Sequence, residues 1–93
     1  MGVKEIFFTS LADSEFQLLY ERFGNSFYQT VDTVLEQLRN HPESGPIFEE
    51  PVRRILIPSS PFGLFYAIHG SRIAVVALLD LRQDPKAIRR RLQ

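Results

Sequence analysis

Residues 52–85 read VRRILIPSSPFGLFYAIHGSRIAVVALLDLRQDP, and this stretch decides the fold. It holds three apolar runs that are separated only by turn residues, first the prolines and serines of residues 58–61 and then Gly70 and Ser71. Connections of two to four residues are too short for a parallel crossover. The stretch therefore predicts a three-stranded antiparallel meander.

The first 42 residues predict a strand followed by two helices. Residues 3–8 are β-branched and aromatic, which is typical of a strand, and Ser10 is a candidate N-cap for the helix after it. The first helix is expected to end at Gly24 and the second at Pro42. Because these helices are joined so tightly, we expect an antiparallel helical hairpin. Their apolar stripes are Ala12, Phe16, Leu19, Tyr20 and Phe23 in the first helix, and Phe27, Val31, Val34, Leu35 and Leu38 in the second.

The remaining segments complete the predicted fold. Residues 41–51 hold three prolines, a glycine and three glutamates, and are predicted to be a loop. Asp84 and Pro85 are typical of the cap and first residue of a short helix over residues 86–92. We expect one domain over residues 1–93, of the α+β class: an N-terminal strand and an antiparallel helix hairpin packed on an antiparallel β-sheet meander, with a short C-terminal helix. The helices should cover one sheet face and leave the other more open.

Composition limits the possible functions. The chain has 93 residues, 44% of them hydrophobic, which suits a single folded domain. It has no cysteine, no spacing typical of metal ligands and no glycine-rich phosphate loop, so we expect neither a metal nor a cofactor. No apolar run approaches the roughly 20 residues that span a bilayer, and the N-terminus lacks a signal-peptide core. We expect a cytoplasmic protein without membrane contact.

Charge is distributed unevenly along the chain, although the formal net charge is zero. Residues 1–51 carry three Lys or Arg against nine carboxylates, a balance of −6, and residues 52–93 carry eight cations against two carboxylates, a balance of +6. A basic half of this kind favours contact with phosphate or with an acidic protein surface. The alternative is that acidic helices and a basic sheet neutralise each other inside the fold.

The adjacent Arg53 and Arg54 must point to opposite sheet faces, because side chains alternate along a strand. Only one of them can therefore lie on the open face. We expect the other at the rim, near the helix hairpin or the acidic loop. The alternative role for this pair is a solvated charge and an ion pair with Glu49 or Glu50.

Four further arginines are candidate contacts for a partner. Arg82 follows the third strand, and its planar guanidinium suits a bidentate contact with phosphate, although a local pair with Asp80 explains it equally well. The other three are consecutive on the last helix: Arg89, Arg90 and Arg91. Neighbours on a helix lie about 100° apart, so at least two of the three must be solvated.

Three other polar residues are better explained by structure than by chemistry. Tyr66 shares a strand face with apolar residues, so we expect a core side chain with its hydroxyl at the edge and no catalytic role. His69 precedes the Gly70 turn, and His41 lies at a helix C-terminus, where the helix dipole favours it.

The arginine pair on the first meander strand, the aromatic FGLFY of the second and the arginine closing the third resemble the RelE/ParE superfamily of bacterial toxins. The resemblance covers nearly the whole chain. It implies the toxin of a type II toxin–antitoxin module, with a cognate antitoxin protein as partner and roles in plasmid stabilisation and growth inhibition. It also implies that the arginines described above contact the target: Arg53, Arg54, Arg82, Arg89, Arg90 and Arg91.

Within that superfamily the chain is more similar to the ParE branch, which binds and inhibits DNA gyrase. The mRNA-cleaving members typically carry lysines on the first meander strand, an arginine inside the second, and a late tyrosine or histidine. Here these places hold arginines, Gly63 or Leu64, and Ile88. One alternative is a ribosome-dependent mRNA endoribonuclease of the RelE type, with Arg53, Arg54 and Arg82 as catalytic candidates. Another is a degenerate, non-toxic homologue or a small nucleic-acid-binding module.

Overall fold

The computed structural model describes residues 4–93 of the chain. Five strands form one sheet in the order β1-β5-β4-β3-β2, in which β1 is parallel to β5 and every other pairing is antiparallel. The elements, in chain order, are β1 (Glu5–Phe8), α1 (Ser10–Asn40), β2 (Ile47–Glu49), β3 (Val52–Leu56), β4 (Phe62–His69), β5 (Arg72–Asp80) and α2 (Pro85–Leu92). None of the helices described has the length and apolar content needed to cross a bilayer.

The predicted helical hairpin is confirmed. Gly24 breaks α1 with φ 76° and ψ −159°, a conformation that is essentially restricted to glycine. The chain reverses there, which brings the rings of Phe16 and Tyr28 to a centroid distance of 5.8 Å. We call residues 10–23 the first arm and residues 25–40 the second arm. The N-cap is Thr9, one residue before the predicted Ser10, and its side chain accepts a hydrogen bond from the Ala12 N–H.

The predicted meander is also confirmed, as β3, β4 and β5. The prediction of a loop throughout residues 41–51 is wrong, because Ile47–Glu49 forms β2 and pairs with β3. Three residues between prolines carry no periodic pattern, so only the pairing with β3 makes them a strand. The N-terminal strand is seen at Glu5–Phe8, and the predicted Val3 lies outside the described residues.

A β-bulge in β5 changes which side chains face the hairpin. Ile73 and Val75 pack against α1, and the register then shifts between Phe65 and Tyr66 of β4. The extra residue reverses the alternation, so Leu78 joins the same hairpin side after the bulge. Without the bulge, the side chain of Leu78 would point to the sheet face opposite the hairpin.

The sheet is buried on both faces, which differs from the expected open face. The hairpin covers one face, over a core that includes Tyr66, and α2 covers part of the other. On that second side Ile88 packs with Phe65, Ala77 and Leu79. The short C-terminal helix was predicted correctly, but its apolar side was not recognised as a cover for the sheet.

An ion pair joins the two layers around the edge of β5. Arg91 of α2 donates to both carboxylate oxygens of Glu15 in the first arm, Nε to Oε2 at 2.7 Å and Nη2 to Oε1 at 2.9 Å. The same Nη2 donates to the Val76 carbonyl at 2.9 Å, and Glu15 Oε1 accepts from the Leu78 N–H at 3.1 Å. Since β1 has ended at Phe8, these two side chains satisfy the backbone groups that a longer strand would have paired.

We expect Arg91→Met to lower the free energy of unfolding by about 1–3 kcal/mol, because it leaves Glu15 and the edge of β5 without their donor. Arg90→Met is the matched control, since the neighbouring Arg90 is exposed; its effect should stay within about 0.5 kcal/mol. Urea unfolding of both variants measures the difference. Equal stabilities would show that the Glu15–Arg91 pair contributes little.

Candidate functional site

Arg53 and Arg54 lie on opposite faces of β3, as the alternation predicts. Arg53 is on the hairpin side, where its Nη1 donates to the Gly45 carbonyl at 2.9 Å. This places it at the rim, against the loop that follows the second arm, as expected. The Arg53 guanidinium therefore binds a backbone carbonyl of this loop and does not pair with Glu49 or Glu50.

Tyr66 fixes the same loop from inside the core. Its hydroxyl donates to the Pro42 carbonyl at 2.7 Å and accepts from the Gly45 N–H at 2.9 Å. Burial raises the pKa of this phenol. A Cβ at Gly45 would lie 2.7 Å from the Arg54 carbonyl and 2.9 Å from the Tyr66 hydroxyl, so only glycine fits there. Tyr66 is a fully buried core residue, as predicted, and its hydroxyl holds the start of β2 in place.

Arg54 and Arg89 meet over one aromatic ring on the α2 side of the sheet. Their Cζ atoms lie 5.7 Å and 6.0 Å from the ring centroid of Phe48. Phe48 is held in turn by an edge contact with Phe65 at 5.3 Å. Glu49 lies 3.9 Å from Arg89. We call Phe48, Glu49, Arg54 and Arg89 the Phe48 cluster; sequence reasoning missed Phe48 because its segment was assigned to a loop.

The three arginines of α2 have different roles. Arg89 belongs to the Phe48 cluster, and Arg90 is exposed. Arg91 is bound to Glu15, with only 23% of its side chain exposed. Two of the three are thus solvated, as the helical geometry predicts, while the third has a structural contact that spacing alone does not reveal.

Arg82 forms the local pair with Asp80 that was the alternative to a phosphate contact. Its Nε and Nη2 donate to the two carboxylate oxygens at 3.0 Å and 2.7 Å, and its N–H donates to Oδ1 at 2.9 Å. These hydrogen bonds from Arg82 lower the pKa of Asp80 to about 2. Arg82 is nevertheless 74% exposed, so its outer side remains open to a partner.

A groove of about 880 Å³ lies between the hairpin and the end of the sheet. The first arm provides one wall, the end of β5 the other, and the turn of residues 58–61 closes it. Its surface is mostly apolar, and its charged members are two carboxylates and two arginines: Glu15, Asp80, Arg22 and Arg82. Leu18 and Phe23 line it and are 66% and 44% exposed. The helical pattern in the sequence had placed Phe23 in the core stripe, whereas only its inner edge packs there, on Phe27 and Phe62.

Three ion pairs join the acidic and basic halves of the chain: Glu15–Arg91, Glu5–Arg72 and Glu49–Arg89. Neutralisation inside the fold, which was the alternative interpretation, thus accounts for part of the charge difference between the two halves of the chain. Within residues 4–93 no carboxylate lies within ion-pair distance of Arg53, Arg54 or Arg90.

A family model described as "ParE toxin of type II toxin-antitoxin system, parDE" matches residues 6–85. The chain belongs to the ParE toxin family. A solved chain of the chromosomal ParDE TA system from P. aeruginosa has the same fold, with a TM-score of 0.71, 15% sequence identity, and coverage of 86% of this chain and 98% of that one. No individual curated protein matches significantly.

The family membership confirms the resemblance that the meander carries, and the fold is the ParE-like one expected from it. The six candidate arginines of this ParE-family chain do not form a single surface. Arg54 and Arg89 meet at Phe48, with Arg90 on the same helix. Arg53 lies on the hairpin side, Arg82 lies in the groove, and Arg91 is held by Glu15.

The positions that the resemblance compares with the mRNA-cleaving members, Gly63 or Leu64 and Ile88, are packed in this structure. Ile88 is only 5% exposed, and Gly63 faces the Leu81 side chain, which would lie 2.9 Å from an added Cβ. Among the described residues there is no group of three or more metal-ligating side chains. His69 is exposed at the end of β4, on the turn where the sequence placed it.

The Asp80–Arg82 pair generates a prediction about pH. Because the folded pKa of Asp80 lies near 2, below its ordinary value of 3.8, the pair is intact above pH 4 and is lost as the pH falls through 2. Carbon-13 detected titration of the Asp80 carboxyl should give a midpoint near 2 in the parent chain. In Arg82→Gln the midpoint should return toward the ordinary value of 3.8; an unchanged midpoint would mean that another group depresses this pKa.

Proposed function

We propose that this ParE-family chain arrests bacterial growth by binding and inhibiting an essential target such as DNA gyrase. The observation that carries the proposal is the Phe48 cluster, in which Arg54 and Arg89 are held over one ring on the sheet face that carries α2. Such a target is cytoplasmic, so the proposal also places the toxin there.

The cluster suits binding because its cations are both positioned and accessible. An aromatic ring attracts a guanidinium within about 6 Å and restricts its motion without neutralising it. The Arg89 side chain remains 52% exposed despite its contact with Glu49. Arg90 adds a solvated cation on the same helix. A positive surface of this kind accelerates encounter with an acidic or phosphate-bearing partner.

Binding is favoured over RNA cleavage by the residues around the cluster. General acid–base chemistry requires a titratable group within hydrogen-bond reach of the substrate. Near the cluster the sheet face presents Ile88 and Phe65, which are packed in the core of the α2 side. The carboxylate of the cluster itself, Glu49, is paired with Arg89 at 3.9 Å. The hydroxyl of Tyr66 is on the opposite face and is engaged by Pro42 and Gly45.

The groove supports the second part of the proposal, a cognate antitoxin that covers the toxin. It exposes Leu18 and Phe23 beside two arginines, Arg22 and Arg82. Apolar side chains rimmed by charge are typical of a protein–protein contact. The groove and the Phe48 cluster lie on opposite sides of the sheet, so the antitoxin and the target are proposed to use different surfaces.

Expression of the chain alone in a bacterial host should arrest growth, lower plasmid supercoiling and leave mRNA intact. The double variant Arg54→Gln, Arg89→Gln should lose at least tenfold in toxicity, because it removes both cations from the Phe48 cluster. Arg72→Gln is the matched control: it also stacks on an aromatic ring, at 4.5 Å from Phe7, and contacts a glutamate, but lies at the other end of the sheet. Cleaved mRNA with normal supercoiling would instead establish the endoribonuclease alternative, and unaffected growth a non-toxic homologue.

The antitoxin is expected to be encoded beside this gene and to co-purify with the chain on co-expression. Leu18→Glu should weaken that complex at least tenfold, because a charge replaces an apolar contact in the groove. Leu11→Glu is the control, since Leu11 is 62% exposed on the same arm but outside the groove. Calorimetry on both variants measures the affinities; equal losses would place the antitoxin elsewhere on the hairpin.

A further inference from the structure

A second cavity lies between the hairpin and β1, and it shares no lining residue with the groove. Both arms line it, and among residues 4–93 Phe8 is the one residue of the sheet that does so. Its volume is about 170 Å³. Pockets for drug-sized molecules begin at about 300 Å³, so this cavity suits a ligand no larger than one long side chain.

Aromatic rings form part of the wall of this cavity. The Phe16 ring lies 5.9 Å from the Phe8 ring and 5.8 Å from the Tyr28 ring, at interplanar angles of 61° and 57°. Tyr28 is also held by an edge contact with Tyr20 at 5.7 Å, yet 48% of it is exposed. Rings in fixed positions with accessible surface attract a cation, because the face of an aromatic ring carries negative electrostatic potential.

Two carboxylates line the same cavity, Asp13 from the first arm and Asp32 from the second. Within residues 4–93 neither forms an ion pair, and no Lys or Arg lines the cavity. Asp13 lies in the first turn of α1, where the helix dipole favours a carboxylate. Asp32 lies in the middle of the second arm, so the dipole does not explain its charge.

The backbone of β1 supplies a further acceptor beside the cavity. The Thr9 N–H donates to the Val75 carbonyl at 3.0 Å and therefore points toward β5. In a trans peptide the C=O and N–H groups point in opposite directions, so the Phe8 carbonyl points away from β5, to the open edge of the sheet. No backbone N–H of residues 4–93 donates to it. Phe8 thus combines a ring in the cavity wall with an available carbonyl oxygen.

We propose that this cavity binds a small organic cation, an alkylguanidinium or alkylammonium group. Its charged head would lie between Asp13 and Asp32, and its stem would lie on the rings of Phe16 and Tyr28. The two carboxylates repel an anion, and aromatic walls leave too few oxygen ligands for a calcium or magnesium ion. The bound cation would link the two arms. This inference does not depend on the proposed function, because neither the groove nor the Phe48 cluster takes part.

The first test compares two ligands of nearly the same shape on the parent chain. Butylguanidinium is charged, whereas N-butylurea is neutral. In an NMR titration of the labelled chain we expect butylguanidinium to bind with a Kd of about 1 mM or tighter and to shift the ring signals of Phe16 and Tyr28. N-butylurea should bind at least tenfold more weakly, because it gains nothing from the carboxylates. Equal affinities, or no binding of butylguanidinium at about 10 mM, would overturn the proposal.

The second test uses variants of the cavity. The double variant Asp13→Asn, Asp32→Asn should bind butylguanidinium at least tenfold more weakly. The matched control is Glu21→Gln, Glu36→Gln, which removes the same charge from the same arms but outside the cavity and should leave the affinity unchanged. Equal losses in both double variants would assign the binding to net charge and overturn the site. If the Asn variant fails to fold, the comparison of the two ligands on the parent chain still decides.

The ring and the source of the cation are tested in the same way. Tyr28→Leu should weaken binding of butylguanidinium at least threefold and Tyr28→Phe should not, since the ring and not the hydroxyl makes the contact. The peptide acetyl-Ala-Ala-Arg-Ala-Ala-amide carries the same guanidinium on a protein backbone. Tenfold tighter binding of the peptide would identify an arginine of a partner protein as the source, and equal or weaker binding would identify a free cation. Both results support the site, whereas full affinity in Tyr28→Leu would contradict the proposed role of the ring.

Discussion

The ion pair between Glu15 and Arg91 joins the first arm and α2 to the edge of β5. β5 is the one strand that contacts β1, β4 and both helices, and its outer edge is covered by β1 only as far as Val75. Beyond the end of β1, Glu15 from the first arm accepts from the Leu78 N–H, and Arg91 from α2 donates to the Val76 carbonyl. Unpaired edge groups cost stability when they are buried, so the same contact that closes the edge also fixes the first arm and α2 relative to the sheet. The groove begins where this coverage stops.

The basic residues lie on both faces of the sheet, because side chains alternate along β3 and because a bulge shifts the register of β5. Alternation separates Arg53 from Arg54, and the loop carbonyl of Gly45 then holds the former on the hairpin side. The bulge reverses the parity of β5, which puts Asp80 and its partner Arg82 beside the groove and not beside α2. A chain with one basic half therefore presents two separate cationic regions. One is an aromatic-supported cluster on the α2 side, and the other is the mouth of an apolar groove.

The sequence predicts the elements whose stabilising pattern is local. Period-3.6 stripes and Gly24 suffice for the hairpin, two short turns suffice for the meander, and Asp84 with Pro85 suffices for the start of α2. It fails where a distant partner decides. β2 is a strand only because β3 pairs with it, and Arg91 is structural only because Glu15, 76 residues away, reaches it. The sequence marks the candidate arginines only as charges, and the grouping of Arg54 with Arg89 depends on Phe48, whose importance no local pattern indicates.

A sequence identity of 15% to the P. aeruginosa chain preserves the fold, and the contacts described above explain why so little identity is needed. Packing between the layers requires a type of side chain at each position and not one particular residue. The types are apolar residues along the arms, aliphatic and aromatic residues on β4 and β5, and a charge pair at one edge. Many sequences satisfy these requirements. Surface features are less constrained by folding, because neither the guanidiniums over Phe48 nor the exposed Leu18 is needed to fill the core. Residues that folding does not require, yet that the fold holds in defined positions, are where the specificity of this toxin for its target and antitoxin is best sought.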